Sequence, residues 1–138
     1  MFYNNENWKC ILYEGKIRTY TAAIAAYWKL YGKASDCGEF DQQAYYEMTS
    51  HTAAAQLFCS QEVSDQMPVV DLAISKLSTS TGTSKERGVY QKLAGDEIEK
   101  LINLIRKDIG LKPIKQAVLQ LDEKTSNAML ELWGYKGE

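Results

Sequence analysis

The sequence predicts a mainly α-helical protein: a compact bundle of five to seven mostly short helices, with a possible N-terminal β-hairpin, forming a single helical domain over residues 1–138. Three observations predict it. Apolar residues recur at spacings of three and four along most of the chain, the mark of a helix with one buried face. Only two prolines, Pro68 and Pro113, interrupt that pattern. Apolar residues make up 45% and charged residues 25%, a balance that folds rather than staying disordered.

The elements follow in order. The stretch from Trp8 to Thr21 admits two readings: a hairpin turning at Glu14-Gly15, or a helix carrying Trp8, Ile11 and Leu12 that stops at Gly15. Tyr20, Ile24, Tyr27 and Tyr31 then form a helical stripe, with Gly32 where a C-terminal cap would fall. Phe40, Ala44, Met48, His51, Ala55 and Phe58 continue the spacing along a second, longer helix. Val70, Ala73, Ile74 and Leu77 mark a third, with Pro68 in its first turn. Ser75 to Ser84 contains seven Ser or Thr residues and one Gly, the composition of an exposed loop. Ile98, Leu101, Ile102, Ile105 and Ile109 make the clearest stripe, preceded by Asp96 and Glu99 at capping-box spacing and closed by Gly110. Pro113 opens a short helix with Ile114, Ala117, Val118 and Leu121, and Asp122 caps a last one with Met129, Leu132 and Trp133. No fixed-period repeat is present.

Several classes are disfavoured. The uncharged run Thr19–Trp28 contains an arginine-free but short apolar core, well under the roughly 20 residues of a membrane span, so no membrane association is expected. No basic region followed by a small-residue cleavage site precedes it, so no secretory signal is expected. Cys10, Cys37 and Cys59 are odd in number and widely spaced, which fits reduced, mostly buried thiols and a cytoplasmic protein better than a disulfide framework or zinc knuckle.

Charge and aromatic residues are unevenly spread. Residues 34–75 contain no Lys or Arg and seven acids: Asp36, Glu39, Asp41, Glu47, Glu62, Asp65 and Asp71. The flanking segments are net basic, and the whole chain carries −2. Twelve of the fifteen aromatic residues lie in the first 58 positions, more than one small core region needs, so part of that set is a candidate homo-oligomer surface.

Candidate sites divide into four. His51 is the only histidine, with Glu47 a turn earlier and Cys59 two turns later; its place on the apolar stripe favours a core or interface role over catalysis, so no catalytic residue is assigned. A metal site would need Cys37, Asp41, His51 and Cys59 to converge at spacings that do not suit one ion, so neither metal nor cofactor is expected. A nucleotide- or signal-molecule-binding module would use Lys16, Arg18, Trp28 and Lys29 as cations and a stacking platform. Ser84, Lys85 and Arg87 at a helix start would hold the phosphate, but the Walker spacing is absent. Negative charge and the lack of a dense basic run argue against duplex nucleic acid.

The acidic, aromatic segment is the fourth candidate. Negative charge unrelieved by nearby cations favours a basic partner, and neighbouring tyrosines supply interface anchors. The expected function is therefore a small non-enzymatic binding protein acting through Glu39, Asp41, Tyr45, Tyr46 and Glu47 on a host protein with a basic surface. By analogy of size and composition, it suits an inhibitor of the phage or mobile-element type. An enzyme using His51 is a further alternative.

Overall fold

A computed structural model describes residues 5–37, 40–80 and 82–113. Four helices account for most of these: α1 (Asn5–Cys37), α2 (Gln42–Gln56), α3 (Gln61–Ser78) and α4 (Ser84–Asp108). The mainly helical expectation holds; among the described residues there are four helices, and they are longer than the sequence suggests. The two short helices expected after Pro113 lie outside the described residues.

The N-terminal hairpin is replaced by continuous helix, and α1 runs 33 residues through both Gly15 and Gly32. Each glycine costs about 1 kcal/mol relative to alanine, too little to break a helix anchored on both sides. The anchors come from α4. Tyr13 Oη donates to the Ile109 carbonyl at 3.3 Å, and Tyr31 Oη donates to the Gln91 carbonyl at 3.3 Å. A strand pair over residues 8–21 would forfeit the first of these.

Helix starts also differ from expectation. Ser60 caps α3, its hydroxyl accepting from the Val63 amide, so Pro68 falls well inside the helix rather than in its first turn. Thr83 caps α4 in the same way through the Glu86 amide. Asp96 and Glu99 are therefore mid-helix, and Asp96 pairs with Lys92 at 2.7 Å. The Ser/Thr-rich stretch is shorter as a loop than expected, because Ser75–Ser78 still belong to α3 and Ser78 is buried. The end of α4 matches the reading: Gly110 adopts φ +85°, and the Leu111 and Gly110 amides close back onto the Arg106 and Lys107 carbonyls.

The helices run up, down, up and down, α2 against α1 and α4 against both α3 and α1. Their shared core holds Tyr20, Tyr27, Leu30, Met48, Val63, Met67, Val70, Ile74, Leu77, Ile98, Leu101 and Ile105. Most of the expected stripes supply it. On α2, however, Thr52 is buried beside Ala44, Met48 and Ala55, whereas His51 points to solvent. Spacings of four, four and three along this short helix carry the inward face one residue past His51. Phe40 and Phe58 lie beyond the ends of α2 and are exposed, and Ile102 is only half-buried.

Candidate partner-binding surface

The first turns of α2 carry most of the residues expected to meet a partner. Asp41 is the N-cap: its carboxylate accepts from the Ala44 amide at 2.9 Å, which fixes where the helix begins. Helical spacing then turns Tyr45 partly inward against the core, while Tyr46 stands 57% exposed. Phe40, just before the cap, is 47% exposed and stacks at a tilt on Tyr45, ring centroids 5.2 Å apart; Tyr45 and Tyr46 are 6.3 Å apart. The three rings form one cluster. Spacing alone points Phe40 towards the buried stripe of α2. Its position before Asp41, an N-cap residue type, is the signal that would have placed it outside the helix.

The acids of this surface are not left to themselves. Lys29 Nζ lies 3.0 Å from Glu47 and Lys33 Nζ 4.0 Å from Asp41, both reaching across from α1. The hydrogen bond and charge of Lys29 hold the Glu47 carboxyl below its ordinary range. At the other end of the molecule, Lys107 pairs with Glu62 at 3.1 Å. Such solvent-exposed pairs contribute roughly 0–1 kcal/mol and exchange readily for a better cation. Glu39 lies outside the described residues.

The residues of the nucleotide reading are dispersed. Lys16 belongs to the base of the bundle, where it sits 2.9 Å from Asp108. Trp28 lines a groove between α1 and α4 with Ile17, Ile24, Ile102 and Ile109. Lys29 faces α2, and Arg18 is exposed. Arg87 is at the top: its guanidinium donates to the carbonyls of Ala34, Ser35 and Ser80 at 3.0, 3.2 and 3.3 Å, capping the end of α1. Eighteen residues of helix, about 27 Å, separate Lys16 from the carbonyls that hold Arg87. Ser84 and Lys85 are exposed in the first turn of α4.

His51 is exposed in the third turn of α2, and Glu47 one turn before it is engaged by Lys29. Cys59 lies beyond the helix end, half-buried against the core, and burial pushes its thiol up; Cys10 is exposed and so is not the buried small hydrophobe expected. Among the described residues, no three His, Cys, Asp or Glu side chains are grouped to hold a metal ion, and no helix is long and apolar enough to cross a membrane.

Two partly buried polar clusters tie the helices together. At the base, the Tyr20 hydroxyl donates to Asp108, which also holds Lys16. Burial alone would raise the Asp108 carboxyl, but the hydrogen bonds from Tyr20 and Lys16 outweigh it and hold it below the ordinary range. In the middle, the fully buried Tyr27 donates to the Met67 carbonyl at 3.3 Å beside Asp71. One Asp71 oxygen is buried without a hydrogen-bond partner, and burial raises that carboxyl. Compared with known proteins, this chain matches no family, no curated protein and no solved structure.

Proposed function

We propose that this protein is a small cytoplasmic binding protein, without chemistry of its own, that engages a basic surface on another protein through the start of α2. The observation that carries the reading is the ring cluster of Phe40, Tyr45 and Tyr46, in which Phe40 and Tyr46 are exposed and Tyr45 backs them against the core, flanked by Asp41 and Glu47. Tyrosines offer large contact area at low entropic cost, and such anchors dominate interface energetics. Asp41 is fixed by its bond to the Ala44 amide and Glu47 is already paired with Lys29, so a partner arginine that replaces Lys29 meets a carboxylate that already holds a cation. Covering a basic groove in this way is how a small inhibitor of host machinery would act.

The test is a comparison of variants against one captured partner. Wild-type protein is immobilised, a retained protein is purified, and its affinity is then measured by calorimetry. Tyr46→Ala and Glu47→Lys should each weaken binding, Tyr46→Ala by about thirtyfold if it is a central anchor. Lys29→Gln should tighten it, because it removes the competing cation. Wild-type affinity in both Tyr46→Ala and Glu47→Lys would place the working surface elsewhere.

A further inference from the structure

The outer face of α3 carries a second stripe, on the opposite side from the core. Asp65, Val69, Leu72 and Lys76 follow one another at spacings of four, three and four, and all four are exposed. Val69 and Leu72 are 43% and 58% accessible, which is high for aliphatic residues in the middle of a helix. That spacing is the seam of a paired helix. The neighbouring turns of α4 extend the apolar patch. The Gln66 amide donates to the Glu97 carbonyl at 3.0 Å, and Lys76 shares a notch with Glu86 and Tyr90. Between those two points the antiparallel register sets Val69 and Leu72 beside the turn of α4 that carries Val89 and Leu93, both exposed.

The charges at the two ends of the stripe make it complementary to itself. Turned end for end about a point between Val70 and Asp71, the stripe sets Asp65 against Lys76, and Val69 against Leu72. A parallel pairing would oppose Asp65 to Asp65 and Lys76 to Lys76. Two other charges nearby are paired within the chain, Glu62 with Lys107 and Asp96 with Lys92, and Glu86 lies at the Lys76 end of the stripe. Asp65 accepts only the Gln61 amide, at 2.7 Å, and Lys76 makes no ion pair among the described residues.

From this geometry we infer that the α3 face is a homodimer interface, in which α3 packs antiparallel on α3 of a second copy across a two-fold axis. Each Asp65–Lys76 pair then occurs twice, as an isologous interface requires. The patch is three helical turns long, so the dimer is reversible rather than obligate. It involves a different helix from the α2 surface and does not depend on it.

Sedimentation equilibrium on the full chain, from micromolar to near-millimolar concentration, tests this. The wild type should show a monomer–dimer equilibrium. Asp65→Lys alone, or Lys76→Asp alone, should weaken it by about tenfold or more, since two attractive pairs become two repulsive ones. Mixing the two single variants should restore a dimer, seen as a heterodimer by native mass spectrometry, and the double variant should dimerise with itself. Leu72→Gln, which leaves the charges alone, should also weaken association. Circular dichroism checks that each variant is folded, and Leu72→Gln carries the test if a charge reversal is not. A wild-type monomer throughout overturns the proposal. So does a dimer indifferent to these substitutions, or a failure of the mixed variants to associate.

Discussion

Asp71 and Asp108 are both partly buried carboxylates, and their surroundings drive them in opposite directions. Asp71 is raised by burial, with one oxygen unsatisfied, so the folded protein binds its proton more readily than the unfolded chain does. Its contribution is therefore a penalty at neutral pH that is relieved as pH falls through its folded value towards about 4, the unfolded value. Asp71→Asn should raise the melting temperature at neutral pH by a few degrees, roughly 2–4 °C per kcal/mol for a chain of this size. The gain should disappear in buffers approaching pH 4. Asp108 is held low by Tyr20 and Lys16, so its contribution is present above about pH 4 and lost as pH falls through its folded value. Tyr20→Phe keeps the buried ring but removes the hydroxyl that donates to Asp108. It should cost about 1.5–3 kcal/mol in urea unfolding at neutral pH, the range for hydrogen bonds to charged groups. A melting profile for Asp71→Asn that parallels wild type at every pH would mean that the carboxylate is fully compensated.

At the scale of helices, periodicity told faces well and ends poorly. The stripes on α3 and α4 were legible because Val70, Ile74, Leu77, Ile98, Leu101 and Ile105 are large and evenly spaced. Ends are ambiguous where several residues offer the same cap chemistry. Thr83 and Glu86 have capping-box spacing just as Asp96 and Glu99 do, but Thr83 sits in a run of hydroxyl residues that reads as loop. Gly15 and Gly32 looked like stops because helix propensity is local, whereas the contacts that carry α1 through them come from α4. A prediction follows for each kind of end. An added Cβ meets nothing within 4 Å at Gly15 or Gly32, so Gly15→Ala and Gly32→Ala should each stabilise by about 0.5–1 kcal/mol. At a hairpin turn, Gly15→Ala would destabilise instead. Arg87 closes the far end of α1 with a planar fork shared among three carbonyls. Arg87→Gln should cost about 1–3 kcal/mol, and Arg87→Lys should not recover it, because an ammonium cannot span that set.

For the molecule as a whole, the uneven charge of the sequence is redistributed by the fold. The absence of cations from residues 34–75 is plain in the sequence, but which helices those acids face depends on topology, which composition does not encode. The up-down arrangement brings Lys29 and Lys33 of α1 to Glu47 and Asp41, and Lys107 of α4 to Glu62. Three of the seven acids in this segment, Asp41, Glu47 and Glu62, are thus relieved by exposed pairs between helices. The same topology explains why the cations and aromatics of the nucleotide reading, close in sequence, end on different sides of α1. Converting Lys29, Lys33 and Lys107 together to Gln makes the protein three charges more acidic without touching the core. Each exposed pair is worth roughly 0–1 kcal/mol, so the triple variant should remain folded with a small loss of stability at low salt. That loss should shrink as ionic strength rises, since exposed charges are screened beyond about 8–10 Å at 0.1–0.15 M salt. Melting temperatures across a salt series measure it directly. A large loss that salt does not reduce would mean that the lysines act through the packing of their hydrocarbon stems between helices, and not through the charges that their positions suggest.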